Sequence, residues 1–263
     1  MMHHHLIRRK MNILSRKAYH AIHEMIVTGE IAASAAISEE SLARRLKISR
    51  TPVREAVRQL TQEGLLEQIP RRGTMVRSLG RQELAEIYDV REALESHAAA
   101  RAAGRITARQ LAQLELLVEE MGKMVEKAAG SAKQQLEREE FLREMALDKS
   151  FHLLILEAAG NRRMIEMLRV TRTLSDFFRI RLQAQPRRLV GRTFDHHKRI
   201  LDALRARDAA GASAAMSEHV RFGTEDALKH FDQMQFFPGK TSEAVFKDLP
   251  GSLRKKLAVL GKE

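Results

Sequence analysis

Asp148 and His152 stand four residues apart in a stretch of helical periodicity, so their side chains leave one face a single turn apart. His197 and His219 lie on two later stretches of the same kind. Three imidazoles and one carboxylate converging inside a helical bundle suit a divalent transition metal, because zinc, nickel and manganese all accept nitrogen and oxygen ligands. A second set of residues carries different chemistry. Val53, Ala56, Val57 and Leu60 recur at helical spacing and demand a core, which turns Arg54 and Arg58 outward. Guanidinium groups on an outward helix face can bind guanine O6 and N7 bidentately, so this segment has the geometry of a helix that enters the DNA major groove. Hydrolytic chemistry is not signalled. There is no His-Glu-x-x-His, no Gly-rich phosphate loop, and neither Glu157 nor Glu218 stands at ligand-plus-base spacing.

Two kinds of architecture must position these residues. Ser38 suits the N-cap of a first helix with Leu42, Ala43 and Leu46 on its apolar face. Lys47-Ile48-Ser49 is long enough only for a turn, and Thr51 is then expected to cap a second helix with Pro52 at its first position. Gly64 to Val76, with Arg71-Arg72-Gly73 in the middle, reads as a small two-stranded wing. From Gln82 the pattern becomes a succession of amphipathic helices, expected at about 82–103, 107–128, 133–159, 162–184, 188–206 and 209–231. The breaks fall at Gly104, Gly130, Gly160-Asn161, Gln185-Pro186 and Asp208 to Gly211. The fold class is therefore mainly α: an N-terminal winged helix-turn-helix with a small β-wing, and a C-terminal antiparallel bundle of about six helices. The expected division is a flexible leader over 1–11, a DNA-binding domain over 12–79, a linker at 80–82, a helical domain over 83–231 that holds the candidate metal ligands, and an extension over 232–263. That extension is expected to hold one short helix around 251–260.

Composition agrees with a chain that meets a polyanion. The 263 residues suffice for two cores, and the net charge is +12. Residues 1–80 hold 14 Lys+Arg against 7 Asp+Glu, a surplus of +7 in under a third of the chain. Cysteine is absent, which excludes disulfides and thiolate metal sites. No apolar run approaches the ~18–20 residues that span a bilayer, so no membrane partner is expected and the localisation reads as cytoplasmic.

The words Leu42-Ala-Arg-Arg-Leu-Lys-Ile-Ser-Arg-Thr-Pro-Val-Arg-Glu-Ala-Val57 and Arg71-Arg-Gly-Thr74 closely resemble the winged helix-turn-helix of GntR-type bacterial transcription regulators. The resemblance covers residues 12 to 79. It implies that Arg50, Thr51 and Arg54 contact bases and phosphates, and that Arg72 with Gly73 forms a wing tip entering the minor groove. Two positions depart from the family pattern. Lys47 stands where glycine is usual, and Ala33-Ser34 replaces a common Pro-Gly. A left-handed Lys47 would cost on the order of 1 kcal/mol.

Asp148-Lys-Ser-Phe-His-Leu-Leu-Ile-Leu-Glu-Ala-Ala-Gly-Asn161, His197-Lys-Arg-Ile-Leu-Asp-Ala-Leu204 and Ala215-Met-Ser-Glu-His219 resemble the effector domain called FCD, found in the FadR subgroup of the same regulators. That resemblance covers about 83–231 and implies a metal held by Asp148, His152, His197 and His219. The family usually carries an acidic residue before the third ligand, where this chain has His196. Neighbouring helix positions diverge by about 100°, so His196 and His197 do not easily share the site; the family word favours His197, with His196 the alternative. The resemblance further implies that a small organic acid binds near or on the metal, with arginines supplying charge. Arg91 and Arg172 are the candidate arginines, and Asn161 is a candidate amide. Together these features imply a ligand-responsive regulator, read as a repressor, that binds a palindromic operator in double-stranded DNA as a homodimer. A purely structural ion, a tight activator and a metal enzyme carrying a DNA-binding domain are the alternatives. His20, His23, His97 and His230 read as surface or packing residues.

Overall fold

The computed structural model describes residues 13–27, 30–133, 135–182 and 186–236. The expected leader over 1–11 and the short helix around 251–260 lie outside the described residues. Three helices come first, α1 (Ile13–Val27), α2 (Glu39–Leu46) and α3 (Arg50–Gln62), followed by strands β1 (Leu66–Ile69) and β2 (Gly73–Val76). Ala18, Ile22, Ile26, Leu42, Val53, Ala56, Leu60, Leu66 and Val76 close over one another as their core.

Local chemistry sets the boundaries. Ser38 caps α2, its Oγ accepting the Ser41 N–H at 3.2 Å. Lys47 ends α2 in the left-handed region at φ 55°, ψ 41°. The Lys47 N–H donates to Arg44 O and the Ile48 N–H to Ala43 O, the two bonds of a Schellman closure. The expected Thr51 cap is corrected: α3 begins at Arg50, with extended Ser49 in the cap position, so Pro52 is its third residue. Proline is tolerated there because first-turn N–H groups have no intrahelical partner. The Ala33-Ser34 turn forms without Pro-Gly, since Ser34 itself adopts φ 60° and donates its N–H to Val76 O. The wing strands are antiparallel, with Leu66 opposite Val76 and Ile69 opposite Gly73. At the hairpin tip Arg71 takes φ 65° and Gly73 φ 83°.

Helices α4 (Arg81–Ala103), α5 (Ala108–Ala129), α6 (Arg138–Ala159), α7 (Arg162–Leu182), α8 (Arg187–Arg205) and α9 (Ala209–Phe236) form the rest of the described chain. Leu84, Ala98, Ala102, Ile106, Leu114, Phe151, Ile155, Leu168, Ile200, Leu204, Met216 and Val220 form their core. Burying each large side chain of that set contributes about 1.5–3 kcal/mol. Three expected boundaries move. The first helix of this half begins at Arg81 rather than 82, with Gly80 as its cap. Helix α6 starts at 138 rather than 133, because Glu137 and Glu140 form a reciprocal capping box and Gln135 bridges to Pro186. Helix α9 runs past 231 to Phe236; Phe231 stacks on Phe178, and Asp232 pairs with Arg81. Among the described residues, no helix is long and apolar enough to cross a membrane.

Candidate metal centre and nucleic-acid interface

Three helices bring four buried side chains to one point. Helix α6 supplies Asp148 and His152, α8 His197 and α9 His219, and one ligand atom from each lies within 4.8 Å of the others. Asp148 Oδ1 is 3.5, 3.3 and 3.8 Å from the Nε2 atoms of His152, His197 and His219, respectively. The Nε2 atoms of His152 and His219 are 3.0 Å apart. Ligands about 2.1 Å from one ion stand about 3.0 Å apart at right angles and about 3.4 Å apart at the tetrahedral angle. The observed spacings fall in or near that range, so the donor set fits a first-row divalent metal.

The protonation states agree. Burial pushes the His197 imidazolium below its ordinary pKa, although Asp148 opposes the shift. Burial lowers His219 further, with His197 and His152 adding repulsion to its charged form. Neutral imidazole is the form that binds metal. Polar satisfaction also points to a ligand. His219 Nδ1 is buried without a hydrogen-bond partner, and neither ring nitrogen of His197 has a well-aligned one, despite Asp148 Oδ1 at 3.3 Å and the Thr193 backbone nearby. Leaving such atoms unpaired costs about 1–3 kcal/mol each. His196 borders the cluster without joining it: its ring stacks on Phe222 at 5.1 Å and meets the His219 ring edge-on at 5.9 Å, and its Nδ1 is 2.8 Å from Arg199 Nη2.

A second buried group adjoins the cluster, and sequence reasoning missed its centre, Glu95 of α4. Oε1 of Glu95 accepts Arg91 Nε at 2.8 Å and Arg172 Nε at 3.1 Å; Oε2 accepts Arg172 Nη2 at 2.8 Å. Burial alone would raise the Glu95 pKa, but Arg172 and Arg91, with His152, hold it well below the carboxylate range. Arg91 also donates to Ser175 Oγ at 3.2 Å and lies over the Tyr88 ring. The available signal was the i, i+4 spacing of Arg91 and Glu95, which on its own reads as a surface pair.

A cavity of about 60 Å³ opens beside the cluster, lined by Tyr88, Arg91, Asp148, Thr193, His219 and Phe222 among others. Of the three candidate effector residues, only Arg91 lines it. Arg172 is bidentate on Glu95, and Asn161 caps α7, its Oδ1 accepting the N–H groups of Arg163 and Met164.

On the N-terminal half, Arg50, Thr51, Arg54 and Arg58 are exposed along α3, and Arg71, Arg72 and Gly73 are exposed at the wing tip. Arg54 Nε is 3.1 Å from Glu39 Oε2 of α2, which orients the guanidinium without burying it. Ser49 makes no side-chain cap, so the first-turn N–H groups of α3 present a positive dipole end suited to a phosphate.

Comparison with known proteins places both halves. Residues 14–76 match the gntR family of bacterial regulatory proteins, and residues 86–222 match the FCD domain. The chain is 31% identical over 200 residues to the Nta operon transcriptional regulator of Aminobacter aminovorans, covering 75% of this chain and 83% of that protein. It is 32% identical over 197 residues to a probable D-xylose utilization operon transcriptional repressor of Paenarthrobacter nicotinovorans, covering 74% and 80%. The solved structure of E. coli McbR/YncC shares the fold, with a TM-score of 0.67 at 23% identity over 84% of this chain and 100% of that one. The chain therefore belongs to the GntR family of bacterial regulatory proteins, joining that family's DNA-binding winged helix to an FCD domain, and is a transcription regulator.

Proposed function

We propose that this regulator is a cytoplasmic repressor that binds a palindromic operator as a homodimer, and that a small organic acid bound beside a metal in the helical half modulates its grip on DNA. The observation that carries the reading is the convergence of three Nε2 atoms and the Asp148 carboxylate beside a cavity into which Arg91 faces. Asp148, His152, His197 and His219 hold the ion, with zinc, nickel or manganese all compatible. When bound, a divalent ion with one carboxylate ligand supplies uncompensated positive charge for an anion to meet. Arg91 adds a guanidinium to the same wall, and the small cavity suits a short-chain acid. Arg172 acts behind Arg91, through Glu95.

Residues 12–79 act as the DNA-binding domain, and the helices from Arg81 onward as the effector domain. Arg50, Thr51 and Arg54 dock α3 in the major groove, and Arg72 with Gly73 carries the wing into the minor groove. One recognition helix gives too small a footprint for operator affinity, whereas two-fold symmetry matches a palindromic site. The Paenarthrobacter relative's name describes a repressor of a utilization operon, which favours repression here.

The test is a thermal-shift screen of zinc-loaded protein against organic acids, followed by sedimentation and operator titration with each acid that stabilises. A binding acid should raise the melting temperature through mass action, and a dimer should release the operator in its presence. Even 100-fold derepression requires only about 2.7 kcal/mol of coupling. Tight metal binding with no acid that shifts the operator titration would make the ion structural and overturn the effector reading. A monomer that shifts DNA as a monomer would overturn the dimer.

A further inference from the structure

Glu95 has a larger complement of partners than charge balance requires. A lone buried carboxylate is costly, and one bidentate guanidinium is enough to neutralise it. Here Arg172 supplies that bidentate pair and Arg91 a third bond, which leaves one lone pair on Oε2. That oxygen lies 2.6 Å from His152 Nδ1, with the ring turned somewhat off the ideal line. Glu95 and His152 are each 1% exposed, so water does not compete for the contact. The opposite nitrogen, Nε2, faces Asp148 and His219.

An imidazole offers a lone pair at Nε2 only when its proton sits on Nδ1. The partner at Nδ1 therefore decides whether the ring is a ligand or a donor, and a carboxylate there also raises the basicity of the ligating nitrogen. A water could make such a contact but would not hold the ring in one direction. Glu95 is itself fixed: Arg91 of α4 and Arg172 of α7 both donate to Oε1, and Arg172 also donates to Oε2.

We propose that Glu95 is the positioning residue of the metal centre: clamped by Arg91 and Arg172, it holds His152 in the tautomer and direction whose Nε2 faces the ion. The inference rests on the metal reading of the Asp148–His152–His197–His219 cluster. It adds a residue 53 positions away from the nearest of those ligands in the chain.

The experiment uses the full chain, with zinc as the probe, and compares wild type with Glu95→Gln, Glu95→Asp and His219→Ala. Zinc affinity is read by competition with a chelating dye, and folding by circular dichroism. Glu95→Gln should weaken zinc by about 10- to 100-fold, the range found when a partner behind a ligating histidine is removed. Glu95→Asp keeps the charge and should recover part of that loss. A second readout needs no metal. The ¹⁵N shifts of the His152 ring in chelator-treated protein should show the Nδ1–H tautomer in wild type and a mixture of the two neutral tautomers in Glu95→Gln. If Glu95→Gln bound zinc within about threefold of wild type while His219→Ala lost it, the metal centre would stand and the role of Glu95 would fall. If His219→Ala left zinc affinity unchanged, the metal reading would fall and take this inference with it. Should Glu95→Gln not fold, wild type and Glu95→Asp still decide: a His152 proton on Nε2 in wild type, or undiminished affinity in Glu95→Asp with an altered ring shift, overturns the proposal.

Discussion

Arg169 and Arg172 stand one turn apart on α7 and grip opposite halves of the molecule. Arg172 is bidentate on Glu95 beside His152, whereas Arg169 Nη1 lies 3.3 Å from Glu63 Oε1, just beyond the recognition helix α3. Glu63 also accepts the Tyr19 hydroxyl at 2.6 Å and Gln59 Nε2 at 3.0 Å, so it ties α1 and α3 together at the point α7 reaches. One helix thus reaches the candidate metal centre through Glu95 and, through Glu63, the end of α3, the proposed DNA-reading helix. Arg169→Ala should leave zinc affinity unchanged and cost under about 1 kcal/mol of stability, since the side chain is 57% exposed. It should reduce the difference in operator affinity between zinc-loaded and chelated protein, a coupling expected within about 1–3 kcal/mol. Operator titrations of both forms check this, and an undiminished difference would remove α7 from the route.

The DNA-docking surface makes its own prediction. Arg54→Ala should cost about 1–3 kcal/mol on a specific operator and relax sequence preference, because a guanidinium that reads a base discriminates as well as attracts. Arg72→Ala should weaken binding through the wing. Fluorescence anisotropy at several salt concentrations separates the two effects. A lost phosphate contact lowers the salt slope by about 0.9, whereas a lost base contact leaves it nearly unchanged. Arg54→Ala binding as tightly as wild type at the same salt would refute the docking.

The division between what the sequence disclosed and what it withheld follows the range of the interactions. Short-range signals were legible: Ser38 before α2, the apolar set Val53, Ala56, Val57 and Leu60, and the Arg71-Arg72-Gly73 turn. The i, i+4 pair Asp148 and His152 named one face, but it took the resemblance to the FCD words to name His197 and His219 as its partners, and the four do converge. Glu95 could not be read, since two of its three partners lie 57 and 77 residues away and Arg91-x-x-x-Glu95 alone looks like an exposed pair. Asn161 is a candidate cavity amide by resemblance, but an asparagine after a helix-ending glycine caps the next helix first, and it does so for α7. Thr51 lost the cap to Ser49 because the turn closed two residues sooner, which no propensity difference between serine and threonine would reveal.

Lys47 offers a stability prediction independent of function. At φ 55° its Cβ crowds the following carbonyl, at a cost of about 1 kcal/mol that glycine avoids. Lys47→Gly should raise the urea midpoint by the equivalent of about 0.5 kcal/mol or less, much of the gain being offset by the added freedom of the unfolded chain. An unchanged m-value would confine the effect to stability. A lower midpoint would show that the lysine side chain contributes more than its backbone strain costs.

The buried imidazoles impose a pH dependence on the chelated protein. Burial lowers His197, and burial with neighbouring imidazoles lowers His219 further, below the ordinary value near 6.5 that each regains on unfolding. Below about pH 6.5 the unfolded chain therefore binds more protons than the folded one. Stability should be level above that pH and should fall as pH drops toward the lowered pKa values. Urea midpoints of chelator-treated protein at about pH 8, 6.5 and 5.5 measure this, and His219→Gln should flatten the slope by removing the larger of the two contributions.

The metal reading stands or falls on neighbouring residues of α8. His197 is 0% exposed and faces Asp148 Oδ1 at 3.3 Å, whereas His196 stacks on Phe222 and meets Arg199. His197→Ala should thus strip the metal, and His196→Ala should keep it. Alanine at either position preserves the helix, and at His197 it removes a buried group that lacks well-aligned hydrogen bonds, so loss of metal need not reflect loss of fold. Elemental analysis after dialysis against limiting zinc reads the first property, and operator titration with and without zinc reads the second. His197→Ala should retain most of the intrinsic DNA affinity, because α3 and the wing have their own core around Ile22, Val53 and Leu60. What it should lose is the zinc-dependent change, since a ligand shifts an equilibrium only through its differential affinity for the two states. Metal retained by His197→Ala and lost by His196→Ala would move the ligand register by one residue. Metal unchanged in both would refute the site.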